Sequence, residues 1–222
     1  MSQNNVYSEE IRSLESAAGF TTDLFGEGYD DISEYLVNLA GQETLYGTLP
    51  SQVYDDGTPV SLTEYQIDPI RYNDMLERSE IGAALDRVNK INEEFTNLGY
   101  ENFDIRNLAS TETMDITDPI TGDVTQQTRY TDINKKLIED PYVTATLARH
   151  IIASDPSKVP DTLEGQADYW KENWNTESGA GHQDEFIEKQ QVYREKTDVE
   201  DSVMDMLRDQ DADIFSIQAP SE

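Results

Sequence analysis

A carboxylic acid that donates a proton near neutral pH needs a desolvated position, and Glu43 has the spacing for one. It lies eleven residues after Ile32, and eleven helical steps of ~100° return almost to the starting direction. Glu43 therefore prolongs the apolar stripe Ile32, Leu36, Leu39 and Ala40 instead of facing water. Desolvation disfavours the charged form, raises the pKa and keeps the proton in place. A general acid for glycoside cleavage needs that state. The same spacing also fits a carboxylate reaching out of a frayed helix end, so spacing alone leaves both readings open. Tyr46 and Gly47 then let the chain turn into a loop.

Other chemistries are narrowed by composition. The chain has no cysteine, which removes disulfides and thiolate metal sites. His150 and His182 are its only histidines, and they lack the i, i+4 spacing of a helical zinc pair. Asp209, Asp211 and Asp213 begin like a calcium loop, but no glycine stands at the sixth position and Pro220 occupies the place of the bidentate Glu. The expectation is no metal and no cofactor. His150, beside Ile151 in a helical pattern, reads as a structural histidine.

The elements that must position Glu43 are mostly helical. Asp31 and Glu34 have capping-box spacing ahead of the stripe that ends at Glu43. Before it, residues 1–28 read as an arm with a short helix from Ser8 to Ala18. Residues 48–68 read as loop and short strands, with Asp56-Gly57 as a turn. A helix from Glu80 to Leu98 carries Ile81, Leu85, Val88, Ile91, Phe95 and Leu98 on one face and stops at Gly99. Residues 100–138 are polar, and DITDPITGDVTQQT has the turn chemistry of a hairpin, so this stretch reads as an insertion. Further helices are predicted over 142–153, 161–175 and 183–196, the second capped by Asp161. Residues 197–222 are dense in Asp and Glu with Arg208 as the one cation, and read as an acidic tail.

Three stretches occur in an order that resembles the lysozyme-like lytic transglycosylases, especially those carried in bacteriophage particles. They are AGQETLYG with Glu43, SLTEYQIDPIRY with Gln66 and Ile67, and YWKENWNTESGAG with Trp174, Asn175 and Gly179. The resemblance spans roughly residues 30–190, and DTLEGQADYWKENWNTESGAGHQDEFIE also looks like a stretch found in phage virion proteins. Thr44 stands where a Ser often follows the acid, and Leu62, Thr63 and Glu64 stand where the family has a Gly-rich segment.

The resemblance implies a mainly α (α+β) fold: a lysozyme-like domain over 29–196 with a small β region and an inserted hairpin, plus the tail. It implies glycan-strand cleavage in peptidoglycan by one acid, Glu43, with Gln66 lining the groove. Tyr65 and Tyr72 would be stacking rings, although either also suits packing. Asn175 would contact substrate or the acid, or else cap a helix. Trp174 shares an apolar face with Trp170 and suits the core or the groove. Because the family uses a single Glu, the acidic positions Asp55, Asp56 and Glu64 are expected to be solvated surface.

A formal charge of −30 repels phosphate backbones, so direct nucleic-acid binding is not expected. No apolar run reaches the ~18 residues of a membrane span, and the first residues lack the pattern of an export signal. Peptidoglycan is itself partly anionic, so this charge suits a protein delivered by its neighbours better than a diffusing lysin. The expected location is the virion. Its expected partners are glycan strands and other virion proteins, including basic ones docked through the tail.

Overall fold

The computed structural model describes residues 3–26, 32–44, 53–54, 57–155, 157–175 and 181–192. In chain order the elements are α1 (Gln3–Phe25), α2 (Ser33–Thr44), α3 (Pro69–Arg78) and α4 (Gly82–Asn97), then β1 (Ala109–Thr117) and β2 (Val124–Ile133). After the hairpin come α5 (Lys135–Ile138), α6 (Pro141–Ile152) and α7 (Leu163–Tyr169), a π-helical turn (Trp170–Asn175) and α8 over 183–192. The chain is mainly helical with one small antiparallel sheet, in agreement with the expected class.

Two helices form the centre. In α6, Asp140 accepts from the backbone N–H groups of Tyr142 and Val143 and Pro141 opens the first turn, a pairing that starts a helix firmly. Nearly every residue from Val143 to Ile152 is buried, as befits a helix enclosed on all sides. α2 is similar: Tyr35 to Gln42 are all buried. Its polar groups are satisfied by neighbours, with Asn38 donating to Gln166 at 2.8 Å and Gln190 donating to the Asn38 carbonyl at 3.0 Å.

The helix expected from Ser8 to Ala18 is longer: α1 runs to Phe25 and places Ile11, Leu14, Ala17, Ala18, Leu24 and Phe25 in the core, packed on α6, α2 and α4. Phe20 lies edge-on to Phe95 and Tyr142. Gly19, Thr21 and Thr22 are poor helix formers, and tertiary packing overrides that preference. The stop is Gly26, at φ +72°, whose N–H reaches the Thr22 carbonyl at 3.0 Å.

Within the expected strand region at 48–68, the described residues 53–54 and 57–68 form two isolated pairings, Val53 with Pro59 and Leu62 with Ile67. The sheet is the hairpin of the polar insertion, with Ala109 opposite Ile133 and Thr117 opposite Val124. Its base is anchored by buried Ala109 and Tyr130, and its tip exposes Ile120. α3 lies outside every predicted helix, although Asp68 caps it and Pro69 opens it. In α4, Val88, Ile91 and Phe95 are buried, whereas Ile81 and Leu98 at the ends of the predicted stripe are exposed. α7 is capped by Thr162, which accepts from Gly165 N–H, one residue later than the predicted Asp161. Asp31, Tyr46, Gly47, Gly179 and the tail 197–222 lie outside the described residues.

Candidate functional site

Glu43 is the penultimate residue of α2 and is half-buried. Trp170 Nε1 donates to Glu43 Oε1 at 2.7 Å. Burial raises the pKa of Glu43 above the ordinary carboxyl value, while the Trp170 hydrogen bond, Arg71 and Lys189 pull against it without cancelling it. The Trp170 indole is held by Phe186, at 5.6 Å between ring centroids, and by the bare backbone of Gly181. A Cβ at Gly181 would stand 2.4 Å from Trp170 Cη2, so a side chain there displaces the indole. Lys189 Nζ donates to the Gln42 carbonyl at 2.9 Å, which brings a cation to the end of α2.

The end of α2 is tied to the turn 62–67. Thr44 Oγ1 donates to the Ala40 and Glu64 carbonyls, each at 3.1 Å. The turn is closed by reciprocal backbone bonds between Leu62 and Ile67 at 2.8 and 2.9 Å. Thr63 and Gln66 both take positive φ, 66° and 49°, uncommon for non-glycine residues and a mark of local strain.

The structure assigns the expected substrate contacts unevenly. Gln66 sits in the expected segment, but its amide is committed within the turn. Ser61 Oγ donates to its Oε1, and its Nε2 donates to the Thr63 carbonyl at 3.3 Å. Tyr65 and Tyr72 are wholly buried, which corrects the expectation of stacking rings, since neither offers a face to solvent. Tyr72 packs on Tyr130 and its hydroxyl bridges the Arg106 carbonyl and the Ala109 N–H. The Tyr65 carbonyl accepts from Trp174 Nε1 at 3.1 Å, so Trp174 is a buried brace between the turn and the π-helical turn. Asn175 Nδ2 reaches the Gly181 carbonyl at 3.4 Å and closes the loop that carries Trp170.

Glu64 is a further correction, because it is not solvated surface. Thr144 Oγ1 on α6 donates to its carboxyl at 2.5 Å, and burial pushes its pKa up to about 7. Asp55 and Asp56 lie outside the described residues. His150 is a buried structural histidine, as expected. Its Nε2 lies 2.8 Å from Ser79 Oγ, and burial pushes its pKa down to about 4.

Two groups were missed by sequence reasoning. Trp170 was read only as core, yet its indole N–H contacts the candidate acid. Arg71 of α3 was not singled out at all. Its Nη2 donates to the Trp174 carbonyl at 2.6 Å and the Asn173 carbonyl at 3.2 Å. Its guanidinium also lies 4.4 Å from the centre of the Trp174 ring, a favourable cation–π placement. The signal was present in Asp68-Pro69, which starts a helix and so sets the direction of Arg71.

Beside this turn a cleft of about 390 Å³ opens between α3, the end of α6 and the π-helical turn. Arg71, Tyr169, Asn173 and Trp174 are among its walls, and Glu43 is not. No family model, curated protein or solved structure matches the chain. No described helix is long and apolar enough to cross a membrane.

Proposed function

We propose that this protein is a bacteriophage virion component whose lysozyme-like domain cleaves peptidoglycan glycan strands as a lytic transglycosylase during genome delivery. The observation that carries the reading is Glu43: a half-buried carboxyl at the end of an enclosed helix, with raised pKa and an indole donor on one oxygen. Oε1 accepts from Trp170, which leaves the second oxygen to hold the proton. In the mechanism implied by the family resemblance, Glu43 gives that proton to the glycosidic oxygen as the C1–O bond breaks. The sugar's 6-hydroxyl oxygen then bonds to C1 and its proton returns to Glu43, giving an anhydro product. The carboxylate formed in between is favoured by the Trp170 N–H and by the charges of Arg71 and Lys189, interactions that strengthen as negative charge develops.

A second reading keeps the fold and drops the activity, making the protein a structural or assembly component of the virion. It is favoured by the interior positions of Tyr65 and Tyr72 and the committed amide of Gln66. Mass spectrometry of peptidoglycan treated with the protein and with its Glu43→Gln variant separates the two. Anhydro products from the protein and none from the variant support the enzyme. No products from a folded protein support the structural reading. Reducing-end products overturn the single-acid mechanism.

A further inference from the structure

The tip of the hairpin and a hollow at the C-terminal end of α1 carry complementary chemistry. Residues 117–126, the outer half of the hairpin, are exposed throughout. Within them Asp118 Oδ1 accepts from the backbone N–H groups of Ile120 and Thr121 at 2.7 and 3.0 Å. Gly122 N–H donates to the Asp118 carbonyl at 2.9 Å, and Asp118 N–H to the Asp123 carbonyl at 2.8 Å. Pro119 fixes its own φ, and Gly122 takes the φ of +77° that closes the turn. All of these bonds are local, so the loop keeps its shape without help from the rest of the molecule. It holds Ile120 outward, 92% exposed, between Asp118 and Asp123. The N–H groups of Thr121 and Ile120 keep the Asp118 carboxyl below the usual carboxylate range, so the apolar tip is flanked by negative charge.

The hollow, of about 280 Å³, lies between the end of α1 and α4. Leu24, Phe25, Ala83 and Ile91 give it apolar walls, and Arg87 and Lys90 line it together with Asp86. Positions 83, 87 and 90 share one face of α4. Lys90 has Asp86 and Glu94 at the four-residue spacing that favours helical ion pairs. Among the described residues it pairs with neither, and reaches the Phe25 carbonyl at 3.4 Å instead. With 16 Lys and Arg against 46 Asp and Glu in the chain, an apolar hollow in which cations outnumber acids is an exception.

We infer that the hairpin tip of one copy docks in this hollow of a second copy, with Ile120 against Leu24, Phe25 and Ile91 and the Asp118 and Asp123 carboxylates facing Arg87 and Lys90. Charge selects the occupant. A basic partner fits the tip and is repelled by the hollow, whereas a neutral apolar ligand fits the hollow and leaves its cations unanswered. A second copy answers both surfaces. The contact is heterologous, tip to hollow, so each copy offers both halves and repetition gives a ring or an open chain. It uses neither Glu43 nor the groups around it, and so stands apart from the proposed activity.

Sedimentation equilibrium of the full chain at about 0.15 M salt, where exposed charges are screened beyond ~8 Å, tests the inference. A single small contact is expected to associate with a Kd of about 0.1 mM, so the average mass should rise between about 0.01 and 0.5 mM. Ile120→Ser and Ala83→Glu, both at exposed positions, should each weaken association at least about ten-fold with melting temperature unchanged. Ile120→Ser keeps the hollow and Ala83→Glu keeps the tip, so a mixture of the two should form one-to-one dimers and nothing larger. A parent chain that stays monomeric over that range overturns the inference. So does association indifferent to either variant, or a mixture of the two that stays monomeric.

Discussion

Replacing Glu64 by Gln removes a titratable proton from a buried site while keeping an oxygen for the Thr144 hydroxyl, which now meets a carboxyl at 2.5 Å. The folded chain raises this pKa from 4.5 to about 7, so between those values the folded state holds a proton that the unfolded state has released. Stability from this group is therefore fully present below pH 4.5 and lost as pH rises towards 7. At about 1.4 kcal/mol per unit the loss approaches about 3 kcal/mol. For a chain of this size that is roughly 6–12 °C of melting temperature. Glu64→Gln should be close to the parent at pH 5 and clearly more stable at pH 8, with the gap widening by about 2 kcal/mol or more. Urea unfolding at both pH values, read from the midpoint at constant slope, measures the gap. A gap of equal size at both would show that Glu64 does not titrate in a buried site, and the reasoning would fail.

His150 has the opposite sign: its pKa falls from 6.5 to about 4, so its neutral form costs stability as pH drops from 6.5 to 4, again by about 3 kcal/mol. The two effects offset each other in the parent, and Glu64→Gln should expose a stability that climbs with pH across that window. Glu43→Gln should lower peptidoglycan cleavage by at least ~10² with the circular dichroism spectrum unchanged. Undiminished turnover would place the acid elsewhere. Gly181→Ala should force the Trp170 indole off its 2.4 Å approach, lengthening the contact with Glu43; loss of cleavage with a small drop in melting temperature is expected, and normal cleavage would deny Trp170 a role. Arg71→Gln removes a charge that lowers the Glu43 pKa, so the pH profile of cleavage should move to higher pH; a shift the other way contradicts the assignment.

Helices were legible where apolar residues recur at helical spacing, as in Val88, Ile91 and Phe95 or Val143 and Leu147, although Ile151, read on the same face as the last two, is only partly buried. The hairpin was legible from turn chemistry around Pro119 and Gly122, since Gly122 takes φ +77°. α1 was cut short in the reading because Gly19 and the two threonines speak against a helix locally, and only burial against α6 and α2 decides otherwise. Glu43 was found by its phase on the stripe, although α2 is enclosed on every side and its burial does not depend on that phase. Glu64 was misjudged because a Glu in an acidic stretch gives no sign of a threonine eighty positions away. Tyr65 and Tyr72 illustrate the same limit, for an aromatic ring suits a groove and a core equally well until its neighbours are known.

The helix that carries Glu43 completes its surroundings late. Its partners are Gln166, Trp170, Lys189 and Gln190, between 127 and 152 positions further along the chain. A ribosome adding 5–20 residues per second makes Lys189 roughly 7–30 s after Gln42. For most of that interval Trp170 has not been made, and the carboxyl of Glu43 is without its indole donor. The raised pKa of Glu43 therefore depends on contacts that exist only when almost all of the described chain has been made.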